Sequence, residues 1–544
     1  MNTKKMLGNA AVIGAATAIG AKFRPQIKET LRHAASGMHI QRKAGDAVNG
    51  MLSSLSAHVS DEAIPSFFPG DLDDHFEGSG FFLSKPAANA QWRIGYAKQS
   101  ILPYDIKGPL YLGGYLSMPP NRVSGVLDDL TVRATALSDT SGRGVHVFAA
   151  IDCVGLSNSD VRTIRRLLQT EVSAYNIESI QISATHCHSG VDTMGLWGDL
   201  FQALKKNPRL VKKKKTAPDA VSGKNPEFMD HLFQTVAFCV RKALSDMTPG
   251  TAEFAALDGS AFARDKRPPD VLDPTVTVVR FLPEGKKPLI WTVFGAHPTS
   301  FGSAQREISA DYPYYLCRAL ENAGFEAAFF QGAEAAVATD RSVSDRPGMT
   351  RTESIIHYGE ALAELVLQAD AGAFKPLEPL LNIRISPVLL PAKNPLLLLA
   401  AKLKLVNNTL YKFPAGPDHT DYFFRTEVGY AEFGRDLRFA LIPGELMPEL
   451  VSGGTKTASE SWSGADFPFP PMQTAVTGRL AVIGLCSDCI GYIVPDNDYG
   501  SFFAPLHYEE AVSPGPGTAS HIVQAFLRTV ESGRRSIADT SADQ

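Results

Sequence analysis

Two apolar strand patterns in this chain run directly into histidine-bearing loops, and this feature constrains the fold most strongly. Residues 177–182 alternate between apolar and polar side chains and lead into Ser183-Ala-Thr-His186-Cys-His188-Ser-Gly190, while residues 290–296 lead into His297. Side chains at positions i and i+2 of a strand point to the same face, and open α/β sheets bind their ligands where strands end. Because imidazole is the commonest metal ligand in proteins, the pattern predicts a metal site; polar loop residues are the alternative for the paired histidines.

The composition is typical of a globular protein. Of 544 residues, 44% are hydrophobic and 20% are charged, which suits one large domain or a few ordinary ones. The net charge of −4 gives no electrostatic reason to expect a nucleic-acid partner. The six cysteines are too few for a disulfide scaffold. Cys486-Ser-Asp-Cys489 is a single CxxC, so plain thiols or an incidental disulfide are favoured over a zinc site there.

The first residues resemble a targeting segment. Lys4 and Lys5 precede an uncharged run of small and apolar residues over 7–21, and Lys22 and Arg24 follow it. A run of this length is short for a membrane span but suits the apolar region of a signal peptide. Residues 1–24 are therefore predicted to be a signal peptide or membrane anchor, which implies an exported or membrane-associated protein. A surface helix of a cytoplasmic protein is the alternative.

Strand and helix patterns alternate over the main body, residues 91–535, after a variable helical and loop extension over 25–90. We predict an α/β fold in which one large layered domain has mixed β-sheets and flanking helices. Residues 160–175 are predicted to form one helix with Ser159 as its N-cap. The polar residues 536–544 are predicted to be a disordered tail. Other predicted helices cover 26–35, 44–57, 227–247, 311–322, 353–369 and 518–532, and predicted strands cover 144–151, 275–281, 288–296, 326–331, 426–433, 437–442 and 480–485.

Two further segments bear on partners. Residues 205–215 carry seven basic side chains, including Lys212 to Lys215 in a row; this run is a solvated loop or a site of attraction to an anionic membrane surface. Residues 395–411 are apolar with two lysines, as in a core helix with a solvent edge or an interfacial amphipathic helix. The membrane alternatives fit a lipid substrate and peripheral membrane contact.

Several segments in order, from Trp92 to about Phe526, together resemble the neutral, non-lysosomal ceramidases, zinc-dependent hydrolases of the N-acyl bond of ceramide. The segments that carry the resemblance are Gly113-Gly-Tyr115, residues 125–136, Ala149-Ala-Ile-Asp152, Ser183 to Gly190, Asp265-Lys-Arg267-Pro, Ala296-His297-Pro-Thr-Ser300, Pro443-Gly-Glu445, Gly491-Tyr492-Ile and Tyr508-Glu509.

The resemblance implies a ceramidase-like zinc hydrolase domain over 91–535 with a defined set of site residues. His186, His297, Glu445 and Tyr492 would bind the zinc ion, and His188 would lie beside it as an acid–base residue. Arg267 and Tyr508 would line the substrate pocket. For each of these residues a purely structural role is the alternative.

The implied site has a coherent chemistry. Two neutral imidazoles and a carboxylate form a familiar hydrolytic zinc set, and zinc lowers the pKa of a bound water to about 7. That water could attack an amide carbonyl, while Arg267 or His188 stabilises the oxyanion and His188 protonates the leaving amine.

The sequence also departs from the family pattern. Ala338 occupies the position of the serine that ceramidases need, and Ala335-Ala336 replaces a Gly-Asp pair in the same loop. The C-terminal β-domain of ceramidases is expected to be absent, and residues 507–511 match the family only in part. We therefore expect a zinc-dependent amidohydrolase of ceramide or another N-acylated lipid. A zinc hydrolase of a different amide or ester, and a catalytically impaired lipid- or ligand-binding homologue, are the alternatives.

Overall fold

The structure of the protein, a computed structural model, describes residues 49–541 apart from 51, 55, 58, 60, 116, 118, 199–222, 417–418 and 502–506. The predicted targeting segment 1–24, the predicted helix 26–35 and the basic run 205–215 lie outside the described residues. Part of the predicted helix 44–57 is described and is helical at 49–50, 52–54 and 56–57.

The described residues contain the following strands and helices. The strands are β1 (Trp92–Ser100), β2 (Gly125–Val126), β3 (Thr131–Ser138), β4 (Val145–Ile151), β5 (Ile177–Ala184), β6 (Thr248–Asp258), β7 (Ala263–Asp265), β8 (Thr275–Pro283), β9 (Leu289–Phe294), β10 (Glu307–Ile308), β11 (Glu326–Gln331), β12 (Val337–Thr339), β13 (Lys375–Leu377), β14 (Leu381–Pro391), β15 (Leu410–Gly416), β16 (His419–Phe433), β17 (Leu437–Leu441), β18 (Glu445–Leu446), β19 (Arg479–Ile483) and β20 (Tyr492–Ile493). The α-helices are α1 (Asn158–Leu167), α2 (Gln169–Tyr175), α3 (Pro226–Ser245), α4 (Tyr312–Asn322), α5 (Arg351–Leu367), α6 (Pro395–Lys402), α7 (Glu449–Ser452) and α8 (Thr518–Ser541).

Two mixed sheets form the centre of the described structure. Sheet A has the strand order β11-β9-β8-β6-β1-β3-β4-β5, with β13 also paired to β6. Sheet B has the order β14-β16-β17-β19, with β15 paired to β16. The pairs β4–β5, β9–β11 and β17–β19 are parallel and the remaining pairs within the two sheets are antiparallel. The predicted mixed α/β fold is confirmed.

The two sheets pack face to face between layers of helices. Trp92, Phe148 and Trp291 of sheet A form one buried cluster with Phe433 and Phe439 of sheet B. Helices α1 and α3 cover one part of the outer face of sheet A, and α4 and α5 cover another. Helix α8 packs on sheet B. Burial of apolar side chains in each of these interfaces, at about 25 cal/mol per Å², holds the layers together.

The predicted helix 160–175 is wrong in its start and its continuity. Ser157, not Ser159, is the N-cap: its hydroxyl accepts a hydrogen bond from the backbone N–H of Asp160, and the Asp160 carboxylate accepts one from the N–H of Ser157. This reciprocal capping box satisfies two backbone donors at once, which a cap at Ser159 cannot do. The helix then breaks at Leu168, whose φ of −103° and ψ of 12° separate α1 from α2.

Helix α8 and the segment 395–411 also differ from the predictions. Helix α8 continues to Ser541, beyond the point at which we predicted the tail to begin. The segment 395–411 is helical only over Pro395–Lys402, and Leu410 and Tyr411 belong to β15, so the prediction of one helix over 395–411 is wrong beyond residue 402. Leu399, Leu403 and Leu405 pack against Leu52, which places this segment in the core. None of the helices in the described part of the chain has both the length and the apolar character that crossing a membrane requires.

Candidate metal centre

His186 and His188 lie just beyond the end of β5. The strand ends at Ala184, and His186 has a φ of 66°, so the two residues are not in extended backbone. The expectation that they point the same way because of strand alternation is therefore wrong. The two rings are nevertheless close together, since the left-handed backbone at His186 places their centroids 4.7 Å from each other. A non-glycine residue held in this region stores strain, which is typical of functional sites.

Hydrogen bonds to backbone carbonyls fix the orientation of two of the histidine rings. Nδ1 of His186 lies 2.6 Å from the carbonyl oxygen of Val154. Nδ1 of His297 lies 3.0 Å from the carbonyl oxygens of Glu334 and Val337. A carbonyl oxygen can only accept a hydrogen bond, so Nδ1 carries a hydrogen in both rings, and Nε2 offers its lone pair whenever the ring is neutral. Burial lowers the pKa of His186, but the carboxylates of Glu334 and Glu445 outweigh burial and raise that pKa to about 9. Metal-binding histidines are held in the same way in proteins.

The carboxylate of Glu445 reaches both of these rings. Its Oε2 lies 2.9 Å from Nε2 of His297 and 3.5 Å from Nε2 of His186. Burial alone would raise the pKa of Glu445, but the adjacent His186 and His297 hold that pKa well below its usual range. Glu445 is therefore an anion directed at the same point as the two ring nitrogens.

Backbone pairing places Tyr492 beside Glu445. In the two-stranded pair β18–β20, Glu445 and Tyr492 are register partners. The Tyr492 hydroxyl lies 3.4 Å from Nε2 of His297 and 3.4 Å from the hydroxyl of Tyr508. Burial raises the pKa of both tyrosines above the ordinary value, so without a nearby cation both stay protonated. The structure thus brings the four predicted ligands together, with Tyr508 next to them.

His188 differs from the other two histidines in how it is held. Its Nε2 lies 3.1 Å from Nε2 of His186, but its buried Nδ1 has no hydrogen-bond partner in the described part of the chain. The ring rests on Gly114, where an added Cβ would lie 2.4 Å from the imidazole, and it meets the Tyr115 ring edge-on. Burial, and then the neighbouring His186 and His297, keep the pKa of His188 well below its usual range.

The donor set fits a metal ion. Ring nitrogens of His186, His188 and His297 lie within 4.8 Å of one another, and Oε2 of Glu445 lies 2.9 Å and 3.5 Å from two of them. Two ligands bound to one tetrahedral zinc ion at about 2.0–2.1 Å lie about 3.3 Å apart, close to the separations within this group. The anionic Glu445 and the fixed Nδ1–H groups, which leave Nε2 as the only nitrogen free to bind a metal, suit a divalent cation.

Arg267 is held by carboxylates. Its guanidinium lies 3.1 Å from Asp498, 3.2 Å from Glu509 and 2.9 Å from Glu510, and the side chain is buried. These contacts tie the loop after β7 to the segment that carries Tyr508. The role of Arg267 in a substrate pocket stays a prediction; its visible role is to order this segment.

Ala338 lies next to His297. It forms a parallel backbone bridge with His297, and it pairs with Arg264 in β7–β12. The side chain at 338 is a methyl group, so this strand brings no hydroxyl there.

Two charged residues near the centre were missed by sequence reasoning. Glu334 is fully buried beside His297, and Lys266 is exposed but acts electrostatically on His297 and Glu445. A lone carboxylate within the apolar run Gly332-Ala-Glu334-Ala-Ala-Val337 is the signal that could have identified Glu334. Lys266 sits beside Arg267 in a motif from which only the arginine was selected.

The cysteines form no disulfide in the described part of the chain. All six are buried and free, and burial raises the pKa of Cys486 to about 12. The CxxC segment therefore carries plain thiols. Its backbone contributes instead, since Cys486 forms a bridge with Ser183 just before the histidine loop.

The overall fold of the chain resembles that of solved structures. No protein-family model matches the chain, and no curated protein sequence matches it significantly. Among solved structures, neutral ceramidase from Pseudomonas aeruginosa matches with a TM-score of 0.60 and 16% identity over 82% of this chain and 75% of that one. The fold is that of the neutral ceramidases. A ceramidase complexed with C2 gives the same TM-score and identity, with 76% of its chain covered.

Proposed function

We propose that this protein is a zinc-dependent amidohydrolase that cleaves the N-acyl bond of ceramide or of a related N-acylated lipid. One observation carries the proposal: Oε2 of Glu445 lies 3.5 Å from Nε2 of His186 and 2.9 Å from Nε2 of His297 in a ceramidase-like fold. Both structural neighbours are ceramidases, so ceramide is the first substrate to test.

The donor set favours zinc among the common metals. Two imidazoles and one carboxylate are found in hydrolytic zinc sites, where a fourth position stays open to water or substrate. Zinc in such a site polarises a carbonyl oxygen and lowers the pKa of a water molecule to about 7. Tyr492, whose hydroxyl lies 3.4 Å from Nε2 of His297, supplies a further oxygen donor.

We assign the proton transfer to His188. His186 and His297 donate their Nδ1–H groups to carbonyls and are fixed as Nε2 donors to a metal, whereas Nδ1 of His188 has no such partner. A neutral imidazole at this position could take a proton from the attacking water and pass it to the leaving amine. Its partial exposure lets substrate reach it.

Lys266 is the cation available to the substrate carbonyl. The guanidinium of Arg267 is surrounded by three carboxylates, while the neighbouring Lys266 is exposed. A positive charge near a developing oxyanion stabilises it.

The proposal also includes contact with a membrane, because the substrate is a lipid. Residues 1–24 would direct the protein to export or to a membrane, and the run Lys212 to Lys215 would be attracted to an anionic surface.

Two measurements together test the proposal. The purified full chain is analysed for zinc, and fatty-acid release is assayed with labelled ceramide and with simple N-acyl amines. We expect about one zinc ion per chain and zinc-dependent release, both lost in His186→Ala. The control, His419→Ala, removes a histidine whose side chain is 71% exposed and should retain both. A wild-type chain without zinc would contradict the proposal.

A catalytically impaired binding protein is the second candidate, and Ala338 is the observation that favours it. Residue 338 lies beside His297 and carries no hydroxyl. Zinc bound without turnover on any of these substrates would support this candidate. Ala338→Ser then provides a direct test, because restored ceramide hydrolysis would show that the missing hydroxyl is what impairs the site.

A further inference from the structure

Glu334 is a buried carboxylate without a hydrogen-bond donor. The residue is 0% exposed, and neither Oε1 nor Oε2 has a partner among the described residues. Burying an unpaired carboxylate costs several kcal/mol, so an isolated charge at this position would be strongly disfavoured. The fold holds Glu334 where only a nearby positive charge could stabilise it as an anion.

The backbone of Glu334 already takes part in the candidate metal centre. Its carbonyl oxygen accepts the hydrogen bond from Nδ1 of His297 at 3.0 Å. Its side-chain Oε2 lies 3.8 Å from the same nitrogen. The carboxylate therefore approaches the His297 ring from the Nδ1 edge, whereas Glu445 meets Nε2 of that ring at 2.9 Å.

The charges of the centre are consistent with a role for Glu334. His186 and His297 are neutral when they bind a metal, and Glu445 contributes one negative charge. A divalent ion bound by these three residues leaves one positive charge in a buried site. The negative charge of Glu334, at the edge of a ligand ring, brings the summed charge of the ion, Glu445 and Glu334 to zero. This lowers the cost of burying these groups.

We propose that the Glu334 carboxylate is the counter-charge of the metal centre, a positioning residue that acts through the His297 ring and sets the affinity for the ion. This inference rests on the metal site of the proposed function. The backbone carbonyls hold the Nδ1–H of His297, so the Glu334 carboxylate, 3.8 Å from that nitrogen, acts on the ring through its negative charge. Loss of a group that supports a ligand histidine typically weakens metal binding 10–100-fold.

The test compares Glu334→Gln with the wild-type full chain by two measurements. Zinc affinity is measured by competition with a chromophoric chelator, and thermal unfolding is followed after zinc has been removed. Glu334→Gln keeps the shape of the side chain without its charge. We expect zinc affinity to fall about 10–100-fold, while the metal-free variant unfolds at the same temperature as the metal-free wild type or higher. Glu334→Asp, which keeps the charge, should recover part of the affinity.

Glu427→Gln is the matched control. Glu427 is also a buried carboxylate, but it is paired with Arg165. This variant should unfold at a lower temperature and bind zinc as the wild type does. Unchanged zinc affinity in Glu334→Gln, or a lower unfolding temperature of its metal-free form, would overturn the inference. Wild-type protein that binds no zinc would instead remove the metal centre itself.

Discussion

Nε2 of His297 lies 2.9 Å from Oε2 of Glu445, although 148 positions separate the two residues in the chain. Short backbone pairings bring about this approach. Ala338 bridges to His297, Glu445 pairs with Tyr492, and Ser183 bridges to Cys486. The candidate centre is therefore assembled where loops from sheet A and sheet B are joined by small two-stranded pairs and single bridges.

Replacement of His188 should separate proton transfer from metal binding. In His188→Ala we expect zinc content to stay at the wild-type level while turnover of an accepted N-acyl substrate falls about 10²–10⁴-fold, the usual contribution of a general acid–base residue. Zinc is measured by elemental analysis and turnover by fatty-acid release. His297→Ala, which removes a predicted ligand, serves as the comparison and should lose both. Loss of zinc from His188→Ala would show that His188 is itself a ligand.

Gly114→Ala should disturb His188 by direct contact. An added Cβ would lie 2.4–2.6 Å from three atoms of the His188 side chain, so the ring must move. We expect turnover to fall at least tenfold, because small displacements of an acid–base residue are costly. Gly142→Ala is the matched control, since Gly142 also has a positive φ of 85° but no atom within 4 Å of the added Cβ. It should lose about 1 kcal/mol of stability and keep its activity; equal losses of activity in both variants would contradict the explanation.

Removal of Arg267 should destabilise the protein. Arg267→Met leaves Asp498, Glu509 and Glu510 buried without the guanidinium that pairs with them. Breaking a buried ion pair by removing one partner costs about 3–5 kcal/mol, measured as the change in the free energy of unfolding in urea. Arg435→Met removes an exposed partner of Glu378 and should cost less than about 1 kcal/mol. A similar small effect for both variants would mean that the buried cluster contributes little.

His146 should make the protein less stable in acid. Burial, and then the positive Arg143, lower the pKa of His146 to about 3, so the folded state holds the ring neutral. The unfolded chain binds a proton below about pH 6.5, and from there to about pH 3 it holds more protons than the folded state. The contribution of His146 to stability is therefore fully present above about pH 6.5. Between about pH 6.5 and pH 3 this contribution falls by about 1.4 kcal/mol for each unit by which the pH decreases.

The His146 contribution can be isolated with one variant. The urea midpoint of the wild type and of His146→Asn is measured from pH 7 to pH 4. Asp128 and Asp488, whose pKa values burial raises to about 7, change stability in the opposite direction, and they are common to both proteins. The difference between the two curves should become smaller as the pH falls. Parallel curves would show that His146 does not titrate differently on unfolding.

The sequence by itself determined the local elements and the identity of most site residues. Strand β11 (Glu326–Gln331) has the predicted bounds, because an apolar run between turn residues reports burial directly. His186, His297, Glu445 and Tyr492 were selected by motif, and the fold brings them together. The cap at Ser157 and the break at Leu168 were missed, since they depend on one hydrogen-bond pair and one backbone torsion.

Only the tertiary structure decided which groups of the centre face one another. The support of His188 by Gly114 and the carboxylates around Arg267 are contacts between segments distant in the chain. Periodicity reports which face of an element is buried, but it carries no information about which distant loop covers that face. The packing of the two sheets decides which loops meet at the centre. The neighbours of each charged residue can therefore be identified only in the folded structure.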